Sequence, residues 1–198
     1  MNLPYFKHDL PPFKPLGFVD STLIANELEK LTLDDWKKYD FRKGHISSYS
    51  LPIVWSSPIA NPLEPMKRTT VPEYSHYLDL IKPVIDISLE FYPGGRVIRI
   101  MFTYMLPNTE IGPHFDTGLN IQASRRIHLP IKTNKDVLFF IDGKEYHFPV
   151  NEVFEINNTL IHGVRNMGTE PRIHLIVDIL PSHFTSPIED TSHFRCHA

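Results

Sequence analysis

The sequence predicts a mainly β fold: an antiparallel two-sheet jelly roll or barrel, with helices packed on one side. Two observations lead to this prediction. Helical patterns are confined to residues 1–95, whereas residues 96–180 contain short segments rich in β-branched and aromatic residues, separated by turns. No helical pattern lies between those segments, although parallel strands would need such a crossover. Antiparallel pairing in a strand-only region that follows the helices is therefore favoured.

The N-terminal part is expected to combine an irregular arm, helical segments and a loop. Four prolines disfavour regular pairing in residues 1–19. Asp20 and Ser21 suit the N-cap of a helix over TLIANELEKL, whose leucines and isoleucine follow helical spacing. The other predicted segments are a short helix at 34–39, a loop at 44–73 and a helix at 73–92 that Pro83 kinks or restarts.

About eight short strands are predicted after residue 95. Their composition, rather than any long repeat, indicates strands, and Gly- or Asn-containing turns separate them. The predicted strands are 96–106, 126–131, 136–141, 145–148, 152–156, 159–164 and 172–180, together with the segment around His114.

Length and composition indicate a single domain over residues 1–198. A chain of 198 residues with 41% hydrophobic and 22% charged residues is large enough for a full core. We predict that residues 1–95 support the sheet, that residues 96–180 form the jelly-roll catalytic core, and that residues 181–198 form a mobile C-terminal tail.

Charge and composition also disfavour several classes of protein. A net charge of -3 is not typical of nucleic-acid-binding proteins, and no apolar run approaches the ~20 residues that span a membrane. The single cysteine, Cys196, fits a reducing compartment. The Pro-rich N-terminal segment does not resemble a signal peptide, so we expect a cytoplasmic protein. Nothing in the sequence indicates an oligomeric state.

Three residues of the predicted β region form a candidate metal site. His114 and Asp116 lie two positions apart, so their side chains share one side of an extended segment. His162 lies in another predicted strand. Two imidazoles and one carboxylate can occupy one face of Fe(II) and leave open positions for a co-substrate and O₂. From spacing alone, a surface His–Asp hydrogen bond and a buried structural histidine explain these residues equally well.

Arg172 is the first residue of RIHLIVDIL, a segment that is otherwise nearly all apolar. A charge at that place is costly unless it has a partner. One suitable partner is a carboxylate of an anionic co-substrate, because a guanidinium can bind it in two places. The alternative is an internal salt bridge with an aspartate or glutamate.

Three segments resemble a known family: YMLPNTEIGPHFD, RRIHLPI and INNTLIHGVRNMGTEPRIHLIVD. In this order they are similar to the Fe(II)/2-oxoglutarate-dependent oxygenases, and more narrowly to the aspartyl/asparaginyl β-hydroxylase family in its bacterial proline-hydroxylase-like branch. The resemblance covers about residues 96–180 and implies a double-stranded β-helix with a cupin-like arrangement of strands. The best-known animal members carry glycine where this chain has Asp116.

The resemblance implies a role for each of seven residues. His114, Asp116 and His162 would bind iron, and Arg172 with Thr103 would bind the distal carboxylate of 2-oxoglutarate. The Arg-x-His pair, Arg126 and His128, would contact the other end of that co-substrate. Alternation along the strand supports Arg126 over Arg125, which faces the other way and has no assigned role. His174 is expected to be a packed core histidine.

The function implied is hydroxylation of an aliphatic C–H of an amino acid or peptide residue, with Fe(II) as cofactor and 2-oxoglutarate and O₂ as co-substrates. Succinate and CO₂ would be the co-products. The alternative is a non-catalytic, cupin-like module that binds a metal or ligand. The substrate is not identified by the sequence: a free amino acid, a peptide or protein side chain, and a lipid acyl chain are all compatible with this chemistry.

Overall fold

The computed structural model describes residues 8–40, 47–61 and 63–191, and within them twelve strands form two sheets. A 3-10 turn at Pro72–Tyr74 precedes the longest helix. The helices are α1 (Thr22–Leu28), α2 (Leu33–Tyr39), α3 (Tyr77–Phe91) and α4 (Leu119–Ala123). The strands are β1 (Phe13–Phe18), β2 (Ser48–Ser56), β3 (Met66–Thr70), β4 (Arg96–Met105), β5 (Thr109–His114), β6 (Arg125–Lys132), β7 (Val137–Ile141), β8 (Lys144–Tyr146), β9 (Glu152–Ile156), β10 (His162–Asn166), β11 (Arg172–Leu180) and β12 (Ile188–Thr191).

The two sheets have the strand order of a jelly roll. The large sheet is ordered β1-β9-β6-β11-β4-β2-β3-β12, and the small sheet is ordered β5-β10-β7-β8. The pairs are antiparallel except for β12, which pairs with β3 in parallel. The predicted antiparallel fold with N-terminal helices is confirmed.

Strand β11 shows how the large sheet separates an apolar face from a polar one. All nine of its residues are buried. Its odd-numbered residues, from Ile173 to Ile179, belong to the core beneath the helices. Because side chains alternate across a strand, Arg172, His174 and Asp178 face the other sheet. A buried strand can carry three ionisable residues on one face only if that face has partners or a ligand.

Helices α1, α2 and α3 pack against the outer face of the large sheet. One core contains Ile24 of α1, Trp36 of α2 and Ile81 of α3, together with Phe102 and Leu175 from the sheet. The predicted support of one sheet by N-terminal helices is therefore observed. Helix α3 continues through Pro83, where a kink or a new start was predicted. In the described part of the chain, no helix is both long and apolar enough to cross a membrane.

Several elements differ from the sequence-based predictions. The expected arm at 1–19 contains β1, and the expected loop at 44–73 contains β2 and β3. Prolines account for the errors at β1 and β2: β1 is an edge strand with an irregular register after Pro15, and the register of β2 shifts after Pro52. Edge strands and bulges are the places where sheets accept a residue without a backbone N–H.

The strand predicted at 159–164 begins only at His162. The preceding residues form a turn, because the side-chain oxygen of Asn157 accepts hydrogen bonds from the amide and hydroxyl of Thr159. The tail predicted to be mobile forms β12 at Ile188–Thr191. Cys196 and the rest of 192–198 lie outside the described residues.

Candidate active site

The inner faces of the two sheets enclose a cavity of about 220 Å³. All seven residues that the sequence assigned to the site line it. The lining residues are Ser48, Trp55, Arg99, Met101, Thr103, Ile111, His114, Asp116, Arg126, His128, Phe139, Ile156, His162, Gly163, Val164, Arg172 and Ile176.

Strand pairing brings the two predicted histidine ligands together. His162, the first residue of β10, lies opposite His114, the last residue of β5, and their ring centroids are 4.4 Å apart. Asp116 follows two residues later. One ligand atom from each of the three residues lies within 4.8 Å of the other two. Two nitrogens and one oxygen at this spacing fit one transition-metal ion of the Fe(II) type.

Backbone carbonyls fix the orientation of both imidazoles. Nδ1 of His114 lies 2.9 Å from the carbonyl oxygen of Gly112, and Nδ1 of His162 lies 2.9 Å from that of Leu160. A carbonyl only accepts, so each Nδ1 carries the proton and each Nε2 keeps its lone pair. Hydrogen bonds of this kind are the usual support of metal-binding histidines. The two rings are therefore prepared to bind a metal through Nε2.

Gly163 allows β10 to approach β5 beside this cluster. A Cβ atom at position 163 would lie 2.7 Å from the carbonyl oxygen of Ile111 and 3.2 Å from backbone atoms of Gly112. Side chains do not tolerate such a distance to backbone, so the strands would have to separate.

We expect Gly163→Ala to displace His162 from His114 and to weaken Fe(II) binding at least about 10-fold, as loss of the groups that orient a metal ligand typically does. Anaerobic Fe(II) titration measures the effect. Gly143→Ala is the control, because a Cβ there has no neighbour within 4 Å, although its φ of +76° adds local strain. Equal iron affinities in Gly163→Ala and the wild type would contradict the role of the close approach.

The segment that carries Asp116 is held by groups that sequence patterns did not reveal. The amide of Asp116 donates to the carbonyl of Asn158 at 3.3 Å, and the side-chain amide of Gln122 donates to the carbonyl of Asp116 at 2.9 Å. Asn158 in turn donates to the carbonyl of Ile121 in α4, at 2.7 Å. The loop before β6 is therefore anchored to the turn before His162, and both ligand-bearing segments are held together.

Arg126 connects Asp116 to Asp178 on the inner face of the large sheet. Its Nε and Nη2 donate to the two carboxylate oxygens of Asp178, each at 2.8 Å, and its Nη1 forms an ion pair with Asp116 at 2.5 Å. Burial by itself would raise the pKa of Asp116, but the nearby Arg126, His162 and His114 outweigh burial and hold that pKa below its usual value. Asp116 is therefore ionised, as a metal ligand must be.

Arg126 was expected to meet the co-substrate; it lines the cavity, and three of its five N–H donors serve two carboxylates. Its guanidinium nitrogens already serve Asp178 and Asp116, and breaking a buried ion pair is costly. Arg125 points to the opposite face, as alternation predicts, and forms a 3.8 Å ion pair with Glu155 beside the ring of Tyr92. The side chain of Arg125 does not line the cavity.

Arg172 is a buried cation without an acidic partner among the described residues. Its side chain is 3% exposed, its Nη1 lies 3.4 Å from the hydroxyl of Thr103, and its Nε has no hydrogen-bond partner. Its guanidinium lies over the ring of Phe139, 5.0 Å from the centroid. Burial lowers the pKa of Arg172 to about 9. The internal salt bridge considered as an alternative is not formed, so the site suits an anionic ligand.

Two further buried histidines lie near Arg172. His128 stacks on Phe154 and His174 stacks on Phe139, and among the described residues neither ring nitrogen of either histidine has a hydrogen-bond partner. Burial, followed by the charge of Arg172, lowers the pKa of both histidines well below the usual value. Both are therefore neutral near pH 7. His174 is packed in the core, as predicted, and His128 lines the cavity.

These neutral histidines predict a loss of stability in acid. In the unfolded chain a histidine binds a proton below about pH 6.5, whereas the folded chain does not until the pH is much lower. Below pH 6.5 the unfolded state therefore binds more protons, and the free energy of unfolding falls by up to about 1.4 kcal/mol per pH unit for each histidine. Urea unfolding between pH 5 and pH 8 measures this slope. In His174→Phe we expect the slope of the free energy of unfolding against pH to decrease below pH 6 by the contribution of one bound proton. His76→Phe is the control, because His76 is exposed. An unchanged slope would contradict a neutral His174.

A jelly roll whose two sheets enclose a His-Asp-His cluster and an unpaired buried arginine defines a class of protein: the Fe(II)- and 2-oxoglutarate-dependent hydroxylases. The chain belongs to the aspartyl/asparaginyl beta-hydroxylase family, because the model of that family matches residues 22–181. No curated protein sequence matches the chain significantly. The match extends the resemblance seen in residues 96–180 to the helices of the N-terminal part.

Solved structures share the fold at low sequence identity. An oxidoreductase of the 2OG-Fe(II) oxygenase family from Burkholderia pseudomallei has a TM-score of 0.56 and 16% identity, over 82% of each chain. HygX from Streptomyces hygroscopicus, with nickel, 2-oxoglutarate and hygromycin B bound, has a TM-score of 0.55 and 12% identity, over 88% of this chain and 85% of its own. A viral collagen prolyl hydroxylase from Paramecium Bursaria Chlorella virus-1 has a TM-score of 0.52 and 12% identity, over 87% of this chain and 97% of its own.

Proposed function

We propose that this protein hydroxylates an aliphatic C–H of an amino acid or of a peptide residue. The reaction consumes O₂ and 2-oxoglutarate, and it forms the alcohol, succinate and CO₂. The observation that carries the proposal is the presence, in one cavity, of a three-ligand cluster and a buried arginine that lacks an acidic partner among the described residues. Neither feature is needed for packing. The three-ligand cluster suits the Fe(II) cation, and the buried arginine suits the 2-oxoglutarate anion.

His114, Asp116 and His162 are the proposed iron ligands. When bound, Fe(II) supplies the activation of O₂ that no side chain can provide. The chain contributes three ligands on one face, so other coordination positions stay open. His162 is buried, Asp116 is partly buried and His114 is exposed, so a metal held by these residues would lie at the boundary between the cavity and solvent.

Arg172 and Thr103 are the proposed binding site for the distal carboxylate of 2-oxoglutarate. The guanidinium offers a fork of donors, and the hydroxyl of Thr103 lies beside it. His128 lines the same cavity, and neither of its ring nitrogens has a hydrogen-bond partner among the described residues. One of these nitrogens carries a proton in the neutral ring, so His128 can donate to the near end of the co-substrate.

Arg126 is proposed to act through Asp116 rather than by binding the co-substrate. Its contact with both Asp178 and Asp116 holds the carboxylate of Asp116 at the edge of the cavity. It also keeps that carboxylate ionised before metal binds. Arg126 is thus a positioning residue for the metal site.

An anaerobic experiment tests the proposal. The purified protein is mixed with Fe(II) and then with 2-oxoglutarate, and the weak visible metal-to-ligand charge-transfer band is recorded before O₂ is admitted and succinate is measured. We expect a band that needs both components, followed by succinate formation. A protein that gives neither the band nor succinate would be a non-catalytic module. A screen of amino acids and peptides for faster 2-oxoglutarate turnover then identifies the substrate.

A further inference from the structure

A second buried arginine, Arg99, lines the cavity and has no part in the reaction as proposed so far. Its side chain is 7% exposed. Its Nε donates to the carbonyl of Ser56 at 2.9 Å, and its guanidinium carbon lies 3.9 Å from the centre of the Trp55 ring. Among the described residues no carboxylate forms an ion pair with Arg99: Asp178, its neighbour across the sheet, attracts it but directs both oxygens to Arg126. Arg99 is therefore fixed in place without an ion-pair partner.

Register places Arg99 and Arg172 at opposite ends of the cavity. On β4, Arg99 lies four residues before Thr103, the partner of Arg172, which corresponds to about 13 Å along a strand. A five-carbon diacid held at Arg172 does not reach that far. Arg99 instead lies opposite Asp178, in the same row of the sheet as Arg126. Arg126 contacts Asp116, so Arg99 lies at the level of the three proposed metal ligands.

The charges of the site leave one positive charge unmatched. Among the described residues three arginines line the cavity: Arg99, Arg126 and Arg172. Two carboxylates face them, those of Asp116 and Asp178. Fe(II) and doubly charged 2-oxoglutarate cancel one another. A single substrate carboxylate placed in the site would therefore make the site neutral, and burying an unmatched charge is costly.

The size of the cavity restricts the group that enters. Its volume of about 220 Å³ is below the roughly 300–1,000 Å³ of pockets that hold a drug-sized ligand, and 2-oxoglutarate occupies part of it. What remains accommodates a short group rather than a long chain. The half-buried ring of Trp55 gives this group a flat apolar wall next to the Arg99 guanidinium.

We propose that Arg99 binds a carboxylate of the substrate, an inference that rests on the proposed function. Trp55 packs against the adjacent apolar part of the substrate, so that the C–H to be hydroxylated lies beside the metal. The substrate is thus a small molecule or side chain that offers a free carboxylate: the α-carboxylate of an amino acid, or the side chain of aspartate or glutamate. Arg99 is a binding residue for this carboxylate, and lipid acyl chains without a nearby charge are excluded.

Binding without turnover tests the proposal directly. Zn(II) replaces Fe(II), 2-oxoglutarate is present at saturation, and calorimetry measures the binding of three probe sets: the twenty free L-amino acids, their α-amides, and the N-acetyl α-amides of aspartate and glutamate. Fluorescence gives a second readout, since Trp55 lines the cavity whereas Trp36 is 1% exposed in the core beneath the large sheet. Arg99→Gln is the test variant. Arg165→Gln is the control, because Arg165 pairs with Glu145 on the small sheet and does not line the cavity.

We expect at least one carboxylate-bearing probe to bind and to change Trp55 fluorescence, its amide to bind at least 10-fold more weakly, and Arg99→Gln to lose this difference while Arg165→Gln keeps it. Binding of the N-acetyl amides of aspartate or glutamate assigns a side-chain carboxylate, whereas binding of free amino acids alone assigns the α-carboxylate. The inference is overturned if no carboxylate probe binds, if acid and amide bind equally, or if Arg99→Gln weakens 2-oxoglutarate binding as much as probe binding. The wild-type band with Fe(II) and 2-oxoglutarate decides the proposed function separately.

Discussion

In Arg172→Met, we expect the affinity for 2-oxoglutarate to fall between about 30-fold and several thousand-fold, since removing one member of a buried charge pair costs about 2–5 kcal/mol. Affinity for Fe(II) alone should change little, because Arg172 bonds to Thr103 and touches none of the three proposed ligands. The charge-transfer band, titrated with 2-oxoglutarate at saturating Fe(II), measures the first quantity, and anaerobic equilibrium dialysis measures the second.

The same substitution should make the metal-free protein more stable. Arg172 is a buried charge without an acidic partner in the described residues, and its replacement by an apolar side chain of similar length removes the cost of that burial, about 1–4 kcal/mol. Arg126→Met is the matched control, because it breaks two buried ion pairs and should destabilise by about 3–5 kcal/mol. Urea unfolding distinguishes the two. Equal losses of iron and 2-oxoglutarate affinity, or a destabilised Arg172→Met, would show that Arg172 is structural.

In Asp116→Ala, we expect Fe(II) affinity to fall more than about 100-fold, the upper limit of the loss seen when only a residue supporting a metal ligand is removed. Succinate formation should become undetectable. The carboxylate supplies the only negative charge among the three proposed ligands, and the two imidazoles alone hold Fe(II) weakly. Iron content after anaerobic gel filtration and the charge-transfer band measure the two effects.

Asp178→Asn separates the loss of a ligand from damage to the Arg126 network. Asp178 is fully buried and accepts two hydrogen bonds from Arg126, but it is not one of the three proposed metal ligands. We expect this variant to lower stability and to weaken Fe(II) binding much less than Asp116→Ala does. If the two variants bound iron equally, Asp116 would act through Arg126 and would not be a ligand.

Much of the site could be predicted from local sequence because its residues lie on strands. Alternation places His114 and Asp116 together and turns Arg126 and His128 to one face, and a charge in the apolar β11 marks Arg172 as a residue with a special partner. These patterns depend only on the two-residue period of an extended chain. β-branched and aromatic composition predicted the strands from residue 96 to residue 180, although β10 begins later than expected because of the Asn157 turn.

Two strands of the N-terminal part could not be recognised in the same way. β1 and β2 look like loops in the sequence, and they form strands because β9 and β4 provide edges with which they pair. Local propensity is weaker than such tertiary pairing when the strand is at an edge or carries a bulge. The short β12 is a similar case, since its pairing with β3 depends on residues more than one hundred positions away.

The sequence by itself determined the jelly-roll class, the three candidate ligands and the cation for the co-substrate. Only the tertiary structure decided which charges meet: Asp178 pairs with Arg126, Arg172 and Arg99 form no ion pair with a described carboxylate, and Trp55 lies against Arg99. The reason is physical. Which face a side chain takes follows from its own strand, but its neighbour across the sheet depends on the register between strands distant in sequence. The cost of leaving a charge unpaired arises only when that register has buried it.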